Sequence, residues 1–111
     1  MTTATATQIA ELNDRFRKGD RALGKTVGSS IFSNLTFDQQ LALSRLVRAF
    51  DDFTPENDPY REHDFGSVEF EGDKWFWKID YFDQNFEYGS ENPSDPTVTQ
   101  RVLTIMHSSE Y

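Results

Sequence analysis

The sequence predicts an α+β fold: two helices packed on a small antiparallel sheet of about three strands. Three observations carry that expectation. Apolar residues recur at helical spacing at Ile9, Leu12 and Phe16, and again at Leu43, Leu46, Val47 and Phe50. Apolar and polar residues alternate with period two on both sides of Gly72-Asp73. A β-branched run, Arg101-Val-Leu-Thr-Ile-Met106, follows a loop rich in turn residues.

The chain has 111 residues, the size of one domain. Residues 1–6 are rich in Thr and Ala and are expected to be disordered, leaving 7–111 as a single α+β domain. From Thr7 to Lys18 the apolar residues keep to one helical face. Arg15, Arg17 and Lys18 crowd its C-terminal end, where cations suit the helix dipole, and Gly19 ends it. Lys25 to Val27 is a short candidate strand. Thr36 has the chemistry of an N-cap and Gln39, three residues on, that of its capping-box partner. The second helix is therefore expected from Phe37 to about Asp52, stopped by Thr54-Pro55.

Gly72-Asp73 is a two-residue hairpin signal. With Glu71 opposite Lys74, one face collects Val68, Phe70, Trp75, Trp77 and Ile79. The other collects Ser67, Glu69, Glu71, Lys74, Phe76, Lys78 and Asp80. A slip by one residue would bury Glu69 and Glu71, so the side-chain faces are strongly specified. This hairpin is expected at the centre of the sheet. Residues 83–97 read as an acidic loop. Residues 101–106 read as a third strand, the rival being a helix capped at Asp95 with Pro96 at its first position.

Ten Phe, four Tyr and two Trp supply the apolar mass, which argues for a folded core over a disordered chain. There is no cysteine, so neither a disulfide nor a thiolate metal site is available. Residues 1–10 lack a basic region followed by an apolar run, and no apolar stretch approaches the ~18 residues that suggest a bilayer span. A cytoplasmic, non-membrane protein is expected.

The net charge is −8 and its distribution is uneven. Residues 1–50 carry seven Lys/Arg and four Asp/Glu, a net of +3; residues 51–111 carry four and fifteen, a net of −11. Direct binding of the C-terminal half to nucleic acid is disfavoured, and a basic protein partner fits it better. The expected contacts are Glu69, Glu71, Asp73, Asp80, Asp83, Glu87 and Glu91. Side chains at i and i+2 on a strand lie about 6.5–7 Å apart. Glu69 and Glu71 so spaced are compatible with mimicry of successive phosphates.

Glu62-His63-Asp64 is the one segment suited to catalysis, since a His flanked by carboxylates can serve as a general acid or base. Consecutive residues of a strand face opposite ways, and no complementary nucleophile is evident in the sequence. The plainer reading gives His63 and Asp64 a structural role at the start of a strand. His107 is the only other histidine, and no metal-binding spacing joins the two, so neither metal nor cofactor is expected. Asp83-Gln-Asn-Phe-Glu-Tyr-Gly89 alternates oxygen-bearing side chains, but Tyr88 stands where a calcium loop requires Gly. Phe76, Phe82 and Phe86 are not accounted for by one core face, and such aromatics beside acids suit a partner surface.

Four segments in order are Asn57-Asp-Pro-Tyr-Arg-Glu-His-Asp-Phe-Gly66, Trp77-Lys-Ile-Asp-Tyr81, Gly89-Ser-Glu-Asn-Pro-Ser-Asp-Pro96, and Arg101 to Met106 with Glu110-Tyr111. Together they resemble a bacterial family known as domain of unknown function 3768, over about Asn13 to Tyr111. Asn92 stands where an acidic residue is expected. The resemblance implies an accessory role on mobile genetic elements and supplies no catalytic residues. Charge and resemblance together point to a non-enzymatic inhibitor of a basic nucleic-acid-binding complex, such as a CRISPR or restriction complex. The alternatives are a small hydrolase-like enzyme centred on Glu62, His63 and Asp64, and a homodimeric module pairing through exposed aromatics.

Overall fold

The Thr36 hydroxyl accepts the Gln39 N–H at 3.1 Å, and the Gln39 side chain accepts the Thr36 N–H at 2.9 Å. This reciprocal box starts the helix Phe37–Ala49, at the residue the Thr36/Gln39 spacing predicts. The helix ends three residues before the expected Asp52, with Phe50 extended as its C-cap.

The computed structural model describes residues 4–111. In chain order the elements are α1 (Ala4–Arg17), β1 (Gly24–Gly28), α2 (Ser30–Ser33), α3 (Phe37–Ala49), β2 (Phe65–Phe70), β3 (Asp73–Phe82) and β4 (Gln100–His107). Single 3-10 turns lie at Arg21–Leu23 and Ser108–Glu110. Residues 4–6 are helical rather than disordered; residues 1–3 of that expectation lie outside the described residues. The short helix α2, capped by the Ser29 hydroxyl, was not expected.

The chain is α+β, but its sheet has four strands and is mixed, in the order β1-β4-β3-β2. β1 runs parallel to β4, and the other pairs are antiparallel. The segment 101–106 is therefore a strand, not a helix capped at Asp95, and it lies inside the sheet. β1 is only five residues long and is mostly exposed, so it carries little hydrophobic pattern of its own. It pairs because β4 would otherwise present an open row of backbone donors and acceptors.

Only one arm of the β2–β3 hairpin is central: β3 is an inner strand and β2 is the sheet edge, and the turn is Glu71-Gly72 rather than Gly72-Asp73. Phe70 pairs with Asp73, Glu69 with Lys74 and Val68 with Trp75. Both turn residues have positive φ, 51° and 86°, as the turn matching strand twist requires, and Gly occupies the second of the two positions. Moving the turn by one residue shifts each pairing by two, so the side-chain faces are unchanged. Val68, Phe70, Trp75, Trp77 and Ile79 share one face as the alternation predicts. Gly66 lies opposite Trp77, and a Cβ there would fall 2.6 Å from the indole Nε1.

Both long helices pack on this face. Leu12 and Phe16 of α1 and Leu43 and Val47 of α3 form one core with Trp75, Trp77, Ile79, Leu103 and Ile105. The opposite face of β3 carries Lys74, Phe76, Lys78 and Asp80. Phe76, unassigned by sequence, packs there against Phe65 (5.3 Å between ring centroids) and Tyr111 (5.1 Å).

Candidate functional site

Polar residues far apart in sequence meet at one end of the core. Asn13 on α1 is fully buried, as is Arg101 on β4. The Asn13 amide donates to the Tyr81 hydroxyl at 2.8 Å and to the Glu62 carbonyl at 2.9 Å. Tyr81 donates in turn to the Glu62 carboxylate at 3.0 Å. Arg101 donates through Nε to Asn13 Oδ1 and through Nη2 to the Pro93 carbonyl. Burial raises the Tyr81 pKa, so the phenol stays protonated and acts as a donor.

The loop from Asn57 to Asp64 closes over this cluster. Asp58 is buried, and its Oδ1 accepts the N–H groups of Glu62 and His63, both at 3.2 Å. That clasp holds Arg61 and His63 at positive φ, 61° and 56°. His63 Nδ1 lies 3.0 Å from the Asp14 carboxylate and Nε2 lies 3.7 Å from Asp58 Oδ2. One ring face stacks on Phe53 at 3.9 Å between centroids. Asp64 is half-buried, and burial, followed by the charge of Glu62, raises its pKa to about 6.

Of the sequence-predicted catalytic candidates, then, Glu62 receives a phenol, His63 is wedged between two carboxylates and a ring, and Asp64 begins the strand region. His63 lines neither the cavity between α1, β1 and α3 nor the cleft beside Tyr88. His107 is elsewhere, with Nε2 3.3 Å from Asp73. Among the described residues no group of three His, Cys, Asp or Glu is placed to hold a metal ion. Sequence reasoning missed Asn13, Asp14, Asp58, Tyr81 and Arg101 as members of this cluster. No spacing signal could have joined residues up to 88 positions apart.

The seven carboxylates expected to meet a partner do not form one patch. Glu69, Glu71 and Asp73 lie at the hairpin tip, while Asp83, Glu87 and Glu91 lie beyond the other end of β3. The nine strand steps between place these groups about 30 Å apart. At the tip, Glu69 faces Lys74, Asp73 is beside His107, and Glu71 accepts from the Gln39 amide at 3.0 Å. Glu71 also sits in the turn, so it does not continue the strand face that carries Glu69. Asp80 pairs with Lys78 at 3.2 Å. Asp83 Oδ1 accepts the N–H groups of Asn85 and Glu87, both at 3.0 Å, so that carboxylate forms the turn.

The resemblance motifs have structural work in this arrangement. Glu110 accepts from the Ser29 hydroxyl and the Ile31 and His107 N–H groups, joining the last turn to α2. The Ser29 hydrogen bond is the largest of the effects that hold its pKa below the usual value. Asn92, standing at the expected acidic position, uses Oδ1 to accept from the Ser94 hydroxyl at 2.6 Å. A carboxylate oxygen could make the same bond.

The fold and cluster define an α+β protein with a mixed four-stranded sheet, its long helices on one face and a polar cluster buried at one end of the core. The chain belongs to the family described as protein of unknown function (DUF3768), whose model matches residues 28–110. No curated protein and no solved structure gives a match. Among the described residues, no helix is long and apolar enough to cross a membrane.

Proposed function

We propose that the protein is an acidic, non-enzymatic interaction protein whose Asp83–Val98 loop docks on a basic protein surface of the kind that meets nucleic acid. The observation that carries this reading is a cleft of about 500 Å³ between Asp83, Asn85, Tyr88, Glu91 and Val98. Tyr88 is 73% exposed, and Glu87 is exposed next to it in the chain. An aromatic face attracts a guanidinium or ammonium, and neighbouring carboxylates pair with it. The same loop already holds one cation, since Lys25 Nζ lies 4.3 Å over the Phe86 ring.

The hairpin-tip carboxylates contribute less. Each faces a polar or cationic neighbour, and at about 30 Å their field at the loop is screened by a Debye length of about 8 Å. A cytoplasmic setting and the role of mobile-element inhibitor of a defence complex extend the same proposal, and rest on charge and family resemblance.

Fluorescence anisotropy with an arginine-rich peptide from a nucleic-acid-binding protein tests it. The wild type is expected to bind, with affinity falling steeply between 50 and 300 mM salt. A Tyr88→Ala, Glu87→Lys, Glu91→Lys variant should lose about tenfold or more, and Glu69→Lys with Glu71→Lys much less. Equal affinity for the loop variant and the wild type refutes the reading.

A further inference from the structure

The N-terminal half carries the opposite charge and borders, with β4, a second cavity. The end of α1, the turn Arg21–Leu23, β1 and α3 surround a space of about 410 Å³. Phe16, Val47, Leu103 and Ile105 give it apolar walls, and Thr26 and Ser44 add hydroxyls. A volume of a few hundred Å³ in which apolar walls meet converging polar groups is in the range of small-molecule sites.

Its charge is one-sided. Arg17, Arg21 and Arg48 line it, against a single carboxylate, Asp20. Asp20 is already engaged, with Oδ2 on Arg15 at 3.0 Å and Oδ1 on the Ala22 N–H at 3.1 Å. Lys25 also borders the cavity, but its ammonium lies over Phe86 and is discounted. Arg21 and Arg48 are exposed, and neither forms an ion pair among the described residues. Arg17 is 2% exposed. Its Nη1 donates to the Val47 and Arg48 carbonyls and its Nη2 to Asp14, while its Nε–H has no acceptor. The Arg17 guanidinium also lies 5.0 Å over the Trp77 ring and 5.5 Å over the Phe53 ring, so it is held as a fixed positive wall and leaves the unpaired Arg21 and Arg48 to take an anion.

We propose that this cavity binds a small amphipathic anion, its apolar body against Phe16, Val47, Leu103 and Ile105 and its carboxylate or phosphate between Arg21 and Arg48. The site is separate from the acidic loop and takes the opposite charge.

The fluorescent anion 8-anilinonaphthalene-1-sulfonate is a direct probe of the folded full-length chain. It should bind with one-to-one saturation and be displaced by octanoate or octyl phosphate, whose relative potency identifies the preferred head group. Octylamine and inorganic phosphate should not displace it. Arg21→Ala with Arg48→Ala should weaken probe binding about tenfold, the loss of one or two charge-assisted contacts. Ser44→Phe should block binding while keeping every arginine, and a cooperative thermal melt confirms that each variant is folded. Probe affinity unchanged in the folded Ser44→Phe protein, or equal displacement by octylamine, overturns the proposal.

Discussion

Arg101 Nε donates to Asn13 Oδ1 at 2.7 Å, between two fully buried side chains 88 positions apart in the chain. This bond ties the first helix to the inner strand β4. It also sets the Asn13 amide, which then reaches both Tyr81 and the Glu62 carbonyl. The Arg101 guanidinium lies 5.3 Å from the Tyr81 ring centroid, so the same strand pair that aligns Tyr81 with Arg101 also stacks them. Asn13 and Asp14 precede the family match at residue 28, yet they complete a cluster whose other members lie within the match.

Asn13→Ala should therefore be severely destabilising. It leaves Arg101 Nε, Tyr81 and the Glu62 carbonyl each short of a partner, at about 1–3 kcal/mol for each group that water cannot reach. Urea denaturation should show a loss of about 3 kcal/mol or more. A loss under about 1 kcal/mol would mean that the cluster rearranges at little cost.

Thr36→Ala should cost about 1 kcal/mol, the usual worth of such a cap. Gln39→Ala should cost at least as much, because its amide also holds Glu71 at 3.0 Å and so links α3 to the hairpin turn. The two losses should add to less than their sum in the double variant, since each residue caps the other. Thermal melts of the four proteins measure the coupling.

Gly66→Ala places a methyl 2.6 Å from the Trp77 indole nitrogen. Trp77 has no exposed surface and is ringed by Phe50 and Phe53 at 5.5 and 6.2 Å, so it cannot step aside freely. The expected loss is about 1–3 kcal/mol, with a change in tryptophan emission. Ser67→Ala, one residue on and facing solvent, should leave both unaltered.

Asp64 should make the protein less stable as pH rises through the mildly acidic range. Burial, with the Glu62 charge, raises its pKa from 3.8 to about 6. The folded state therefore holds this proton more tightly than the unfolded chain. Its contribution is complete below about pH 4, declines as pH rises through about 6 and is gone above that. Asp64→Asn should be the more stable protein at pH 8, by about 1–3 kcal/mol. The advantage should shrink toward pH 4.5 in paired urea titrations. A difference independent of pH would remove Asp64 as its source.

Much of the framework was legible because it depends on neighbours. Thr36 and Gln39 lie three residues apart, and alternation around Gly72 assigns each side chain to a face whichever residues make the turn. The turn lies one residue earlier than expected, since Gly72 can serve as its first or second position and both choices keep the same side chains on the same faces. The exposed aromatics were partly misread. Phe76 is half-covered by Phe65 and Tyr111, a contact made by the last residue of the chain.

The sequence by itself determined the α+β class, the capped start of the second long helix, the inner face of the hairpin and the division of charge between the halves. These follow from short-range periodicity, side-chain capping and composition. Tertiary structure alone decided that β1 would add a parallel strand and that Asn13 would meet Arg101. It also decided that the acidic residues would divide between the two ends of β3. Those outcomes depend on which distant strand edges pair, and on which polar groups burial forces to satisfy one another.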